Sequence, residues 1–124
     1  MADPLLVVDG ANVVGSVPDG WWRDRFGAAE RLRDSLVPVA EAGLADLPGS
    51  VEVILVVEGA ARGVTSVPGV RVVSAPHSGD DEIVALVWQT EQRCVVVTAD
   101  RGLRERVTAI GAEVIGPSAV RTRS

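Results

Sequence analysis

Uninterrupted apolar runs are the feature that most constrains how this chain folds. Residues 5–8, 54–57 and 94–97 are almost entirely aliphatic, rich in β-branched side chains, and show no alternation with polar residues. Strands without alternation are typical of a parallel sheet that helices cover on both faces. The runs therefore predict an α/β fold, with an open parallel sheet of about five strands and helices on both faces.

The rest of the chain divides into elements that suit this fold. We predict strands over residues 5–8, 51–57, 70–74, 94–98 and 112–115. We predict helices over residues 21–43, 80–92 and 101–110, with Pro38 kinking or splitting the first. The apolar stripe of that first helix comprises Trp22, Phe26, Ala29, Leu32, Leu36 and Val39. A chain of 124 residues is one domain, placed at residues 1–116 and followed by a polar, frayed tail at 117–124.

Missing residue types exclude several classes of protein. There is no Lys, which excludes P-loop ATPases, Schiff-base enzymes and pyridoxal enzymes. One cysteine, Cys94, and one histidine, His77, exclude an internal disulfide, a cysteine-rich zinc site and a His-rich metal site. No apolar run approaches the ~20 residues of a membrane span, and the N-terminus lacks the features of a signal peptide. We therefore expect a cytoplasmic protein with no membrane association.

Acidic residues stand where the predicted strands end. Asp9, Glu58 and Asp100 follow three of the strands, and residues 80–82 open the helix after another. Parallel strands bring their carboxyl ends to one edge of the sheet, where sites form in open α/β folds. Converging carboxylates repel each other, and Mg²⁺ or Mn²⁺, which prefer oxygen ligands, are the natural counter-charge. This points to phosphoryl chemistry, with phosphodiester hydrolysis as the leading case.

Plainer roles are open for most of these acids. Asp100, and either Ser78 or Asp80, have the residue type and position of helix N-caps. Glu58 has the position of an ordinary loop acid. Asp9 is the hardest to explain as purely structural, because it directly follows four apolar residues.

Four short motifs resemble those of NYN domains, which belong to the PIN-like nuclease superfamily. They are VDGANVVG at residues 8–15, VVEGA at 56–60, SGDDEI at 78–83 and VTADR at 97–101. Their pattern is most similar to the bacterial YacP-like branch, and the match spans residues 5–116. The resemblance implies strand order 3-2-1-4-5 and a Mg²⁺- or Mn²⁺-dependent ribonuclease that hydrolyses RNA phosphodiesters.

The resemblance also implies roles for individual residues. Asp9, Asp81 and Asp100 match the catalytic, metal-binding acids, and Asp80 is a near neighbour that joins them as a metal ligand. Asn12 matches an Asn that helps to orient metal or phosphate. Glu58 stands where relatives often carry Asp, and its longer side chain leaves its role open, with substrate contact as our assignment.

Several other side chains are candidates for contact with RNA. Trp21 is placed to stack on a nucleobase, whereas Trp22 belongs to the apolar stripe. Arg101 either clamps a phosphate or pairs with a neighbouring acid. His77 is a solvated loop residue or a proton shuttle, and Trp88 is expected to be partly buried.

Competing functions remain open at the level of sequence. A catalytically silent module of the same fold, binding nucleic acid or a protein partner, is favoured by the net charge of −5. A haloacid dehalogenase-type phosphatase is excluded because Ala11 stands where its second Asp belongs. A TOPRIM site is excluded because Arg101 and Gly102 follow Asp100. We expect single-stranded or structured RNA as the partner, and the sequence leaves a homodimer open.

Overall fold

The computed structural model describes residues 3–121, which form a parallel sheet between two layers of helices. The strands are β1 (Leu5–Asp9), β2 (Gly43–Leu44), β3 (Leu47–Pro48), β4 (Glu52–Val57), β5 (Val70–Ser74), β6 (Cys94–Val97) and β7 (Glu113–Ile115). Five of them form the sheet in the order β5-β4-β1-β6-β7, with every neighbouring pair parallel. Numbered along the chain within this sheet, the order is 3-2-1-4-5. The predicted fold class and strand order are confirmed.

Helices cover the two faces of the sheet. They are α1 (Gly10–Val14), α2 (Arg25–Ser35), α3 (Val37–Ala42), α4 (Gly79–Gln89) and α5 (Arg101–Thr108). Side chains from α1, α2 and α3 pack in one buried cluster, and those from α4 and α5 pack in a second. Strands β2 and β3 form a small antiparallel hairpin after α3.

The central strand β1 shows why the apolar runs lack alternation. Leu6 and Val8 pack into the cluster on the α1–α3 side, while Leu5 and Val7 pack into the cluster on the α4–α5 side. All four are buried. Since both faces of the strand are covered, polar residues are excluded until Asp9, at the carboxyl end of the strand.

The split that Pro38 predicts in the helix over residues 21–43 is confirmed, but the continuous helix predicted from residue 21 up to that split is wrong. The segment is a 3₁₀ turn at Trp21–Arg23, then α2 and α3, which are separated at Leu36 just before Pro38. The Asp24 carboxylate caps α2 by accepting from the Gly27 N–H at 2.9 Å. The helical phase therefore starts anew at α2, which leaves Trp22 51% exposed instead of in the core.

The burial of three other side chains, Phe26, Trp88 and Cys94, can be compared with prediction. Phe26 is 39% exposed, and Trp88 on α4 is 72% exposed, so the predicted burial of both is wrong. The buried stripe of α4 runs through Ile83 and Val87, and the next residue along the helix faces solvent. Cys94 is buried at the start of β6, where burial raises its thiol pKa to about 11, as suits an apolar filler.

The segment after β7 packs against the body of the domain. Val120 is buried, and the Arg121 guanidinium donates to the Val13 carbonyl (3.0 Å) and to the Ser16 Oγ (2.7 Å). The predicted fraying is therefore wrong for residues 117–121. Residues 122–124 of that predicted tail lie outside the described part of the chain. Within residues 3–121, none of the helices has the length and apolar character to cross a membrane.

Candidate functional site

Asp9 lies at the carboxyl end of β1 with only 4% of its surface exposed. Its Oδ2 accepts a hydrogen bond from the Thr98 hydroxyl at 2.9 Å, and its Oδ1 accepts a longer one from the Asn12 N–H at 3.4 Å. Burial raises the pKa of Asp9 from 3.8 to about 6, against the effect of these two hydrogen bonds and with a further contribution from the charges of Asp80 and Glu58. The carboxylate is thus held in a place where its charge is poorly solvated.

Asp80 is the carboxylate that links the others. It lies in the first turn of α4, whose N-cap is Ser78, so the cap is the serine and not Asp80. Burial raises the pKa of Asp80, the charges of Asp100, Glu58 and, least, Asp81 raise it further, and Arg106 acts in the opposite direction. Asp9, Glu58 and Asp100 stand at or just after the ends of the neighbouring strands β1, β4 and β6, and Asp80 opens the helix after β5, so four carboxylates lie at the carboxyl edge of the sheet.

Glu58 belongs to this group of acids, which we call the acid cluster (Asp9, Glu58, Asp80 and Asp100). It directly follows β4 and is half-buried. Its carboxylate lies against Gly79, where an added Cβ would stand only 2.6 Å from Oε1. The glycine at the start of α4 therefore leaves room for the longer side chain of glutamate.

Asp100 joins the cluster while also capping a helix. Its Oδ1 accepts from the Leu103 N–H at 2.9 Å, which fixes the start of α5. Its own backbone N–H donates to the Thr98 Oγ1 at 3.1 Å. The sequence allows Asp100 to be either a helix N-cap or a member of the site. In the structure its side chain is both.

Thr98 is the site residue that sequence reasoning missed. It is fully buried, donates to Asp9 and accepts from the Asp100 backbone, so it connects the ends of β1 and β6. The signal was present: a lone hydroxyl residue after the apolar run 94–97, two positions before an aspartate. A buried hydroxyl needs a partner, and the strand end offers only acids and backbone groups.

Asp81 lies outside the acid cluster. Its Oδ1 accepts from Arg106 of α5 at 3.0 Å, and its side chain is 71% exposed. Asp80 and Asp81 are consecutive residues of one helix and so point about 100° apart. The structure therefore brings Asp80, and not Asp81, to the carboxylates that end β1 and β6.

The other predicted site residues occupy the rim. The Asn12 Oδ1 accepts from the Ala99 N–H at 2.8 Å, so this side chain fixes the loop between β6 and α5. Arg101 is exposed on the first turn of α5, and His77 is exposed in the loop before α4. Trp21 is half-buried in the 3₁₀ turn, beside a cleft that also contacts Glu58.

The acid cluster suits Mg²⁺ or Mn²⁺ by its chemistry. Its donors are all carboxylate oxygens, the ligands that these ions prefer. Within residues 3–121, no three His, Cys, Asp or Glu side chains lie close enough together to hold an ion unaided. Mg²⁺ is usually bound by one or two carboxylates, with waters and substrate phosphates completing its coordination. Asp9 and Asp80, with raised pKa values and repelling neighbours, fit that mode of binding.

Comparisons with known proteins bear on the fold. No family model matches the chain, and no curated protein matches it at a significant level. Among solved structures, the crystal structure of a mutant of Rae1 (YacP) from Bacillus subtilis superposes with a TM-score of 0.71. The alignment covers 97% of this chain and 72% of that chain, at 20% sequence identity. The chain therefore has a YacP-like fold, which is the branch that its motifs resemble.

Replacing Thr98 by Val is expected to destabilise the metal-free protein by about 1–3 kcal/mol. Valine has nearly the same shape, but it leaves the buried Asp9 Oδ2 without a donor and the Asp100 N–H without an acceptor. Urea unfolding in EDTA measures the difference. Thr108→Val is the matched control, because that hydroxyl bonds only to exposed carbonyls of α5. Equal stability of the two variants would contradict the role of Thr98.

Proposed function

We propose that this chain is a Mg²⁺- or Mn²⁺-dependent ribonuclease that hydrolyses RNA phosphodiesters with water as the nucleophile. The observation that carries the proposal is the acid cluster at the carboxyl edge of the sheet. There the buried Asp9 accepts from the Thr98 hydroxyl, which in turn accepts from the Asp100 N–H, and Glu58 lies against Gly79 at the start of the helix that carries Asp80. The motifs that resemble those of NYN domains and the YacP-like fold support the same function.

The residues divide the work by their positions. Asp9 and Asp80 would hold the ion, with Glu58 and Asp100 adding negative charge. When bound, such an ion supplies charge stabilisation for phosphoryl oxygens and lowers the pKa of water. Thr98 fixes the orientation of Asp9, and Asn12 fixes the loop that carries Asp100. Arg101, on the exposed first turn of α5, would contact a substrate phosphate.

The test is cleavage of a mixed pool of single-stranded RNA during a Mn²⁺ titration, with EDTA as the control. We expect cleavage to appear with the ion and to disappear with EDTA. Attack by water leaves 5′-phosphate and 3′-hydroxyl ends, whereas attack by the ribose 2′-hydroxyl leaves 2′,3′-cyclic phosphates. End-group analysis of the products separates these two reactions.

His77→Ala is expected to retain activity within about threefold, because the proposed chemistry does not use a histidine as general acid or base. The residue is exposed in the loop that precedes α4, where its replacement leaves the acid cluster intact. Initial rates on one labelled RNA measure the effect. Cleavage that survives EDTA, cyclic phosphate ends, or a large loss in His77→Ala would each overturn the mechanism.

A second candidate is a module of the same fold that binds nucleic acid or a protein without turnover. The net charge of −5 favours it, as does the absence of three close metal-ligating side chains among the described residues. Binding of Mn²⁺ without cleavage of any RNA in the pool would establish this candidate over the nuclease.

A further inference from the structure

A cleft of about 260 Å³ opens between the start of α1, the 3₁₀ turn at Trp21–Arg23 and the end of β4. Its lining combines small residues with one aromatic ring and two opposite charges: Ala11, Trp21, Arg25, Ala29, Glu58 and Gly59. The volume lies below the ~300–1,000 Å³ of sites for drug-sized ligands. The cleft therefore suits a small ligand, of the size of a single ring system.

Trp21 is held at this cleft by its own turn. Its backbone N–H donates to the Asp19 Oδ1 at 3.2 Å. The indole passes close to Gly15, where an added Cβ would stand 3.6 Å from its Cζ2. The Arg25 guanidinium carbon lies 5.3 Å from the centre of the indole. Indole and guanidinium are among the planar groups on which proteins stack unpaired bases.

The cleft adjoins the acid cluster. Glu58 lines the cleft and also acts on the pKa values of Asp9 and Asp80. Gly10 and Ala11, which follow Asp9 directly in the chain, also line it. A group bound in the cleft therefore lies beside any phosphate that the acid cluster acts on.

The charges around the cleft favour a base inside it and phosphate outside. Glu58 disfavours an anion within the cleft, while its oxygens accept hydrogen bonds from the N–H groups of a base. Arg25 lies at the indole, and Arg23 stacks on the exposed Trp22 with its guanidinium carbon 5.9 Å from the ring centre. Both cations are available to the strand that carries the bound base.

We propose that this cleft binds one unpaired nucleobase of the substrate, next to the phosphate that is cleaved, with Trp21 as its stacking partner. The inference rests on the proposed function and narrows the substrate to single-stranded RNA or single-stranded stretches. Bases in a duplex are stacked on both faces and paired at their edges, so they cannot enter.

The direct test uses Trp21 as a reporter of its own contact. In the double variant Trp22→Phe/Trp88→Phe, Trp21 is the remaining tryptophan. Adding Asp80→Asn and EDTA prevents cleavage. A mixed-sequence 12-nucleotide RNA is expected to quench Trp21 fluorescence, whereas the same strand annealed to its complement is not. A strand that fails to bind, or that binds by anisotropy without quenching Trp21, overturns the proposal.

A second measurement gives the contribution of Trp21 to the affinity for single-stranded RNA. Trp21→Ala is expected to weaken binding of the single strand about tenfold or more. Trp21→Phe retains a stacking ring, guards against loss of folding and is expected to weaken binding less. Trp88→Ala, on the outer face of α4, is the matched control and is expected to leave binding unchanged. Equal affinities across the three variants would overturn the subsite.

The outcomes for the subsite and for the nuclease are separable. Cleavage by the wild-type protein without quenching of Trp21 removes the base subsite and leaves the nuclease. Quenching by single strands without cleavage under any Mn²⁺ concentration removes the nuclease and leaves a binding site for unpaired bases.

Discussion

Replacing Asp9 by Asn is expected to stabilise the metal-free protein above pH 7 and to abolish its stabilisation by Mn²⁺. Burial raises the pKa of Asp9 from 3.8 to about 6. At pH 7 and above, folding therefore carries a penalty of about 3 kcal/mol for burying the ionised form. The amide removes that penalty but loses part of the bond to Thr98, worth about 1 kcal/mol. The net gain is about 1–3 kcal/mol.

The sign of the pH dependence follows from linkage. Between pH 4 and pH 6, the folded protein binds more protons at Asp9 than the unfolded chain does. The stability contributed by the protonated group is therefore fully present below pH 4 and is lost as the pH rises through about 6. We expect this part of the pH dependence to be missing in Asp9→Asn. The variant is therefore expected to have a higher free energy of unfolding than wild type at pH 8, but not at pH 4.

Thermal melts at several pH values, with EDTA or with Mn²⁺, test both halves of this expectation. A ligand that binds only the folded state raises the melting temperature, and the wild-type protein is expected to show that rise. Asp9→Asn, with the buried carboxylate removed, is expected to show none. A variant that melts far below wild type in EDTA at pH 8 would instead make Asp9 a structural hydrogen-bond acceptor.

The fold was largely predictable because a strand that is buried on both faces has an apolar run without polar alternation in its sequence. Runs such as residues 5–8 and 54–57 specify parallel strands, and the helical segments between them specify the layers. The break at residues 21–24 was missed because the apolar spacing from Trp22 to Phe26 imitates a helix. The N-cap bond of Asp24 starts α2 at Arg25, and this start determines which side chains of the helix face the core.

The site was predictable as a region but not as a set of side chains. Parallel topology alone brings Asp9, Glu58 and Asp100 to one edge. The partners within that edge depend on short-range packing that spacing does not encode, such as Glu58 lying against Gly79. Thr98 was overlooked because its importance comes from two contacts across strands, one of them to Asp9, 89 positions away.

The choice between Asp80 and Asp81 is a question of helix phase. Ser78 caps α4, and its hydroxyl accepts from the backbone N–H of both aspartates. This cap fixes the rotation of the first turn and directs one carboxylate inward and the other toward Arg106. The motif in the sequence contains both acids and matches Asp81 to the catalytic position, whereas the geometry favours Asp80.

Asp80→Asn is therefore expected to lower kcat by about 10²-fold or more, because it removes an oxygen ligand and a charge at the centre of the acid cluster. Asp81→Asn, with the same change at the next residue, is expected to stay within about threefold of wild type. Its exposed ion pair with Arg106 contributes at most about 1 kcal/mol to stability. Cleavage rates of one labelled RNA at saturating Mn²⁺ compare the two variants.

A loss of stability is not expected to affect the comparison of Asp80→Asn with Asp81→Asn. Burial and the charges of Asp100 and Glu58 raise the pKa of Asp80, so its neutral replacement relieves repulsion and is expected to leave the melting temperature in EDTA unchanged or higher. If Asp80→Asn loses activity while its melting temperature is unchanged or higher, the loss is due to the missing carboxylate and not to unfolding. The opposite pattern, with Asp81→Asn inactive and Asp80→Asn active, would return the metal-binding role to Asp81 and show that α4 turns its other carboxylate to the substrate.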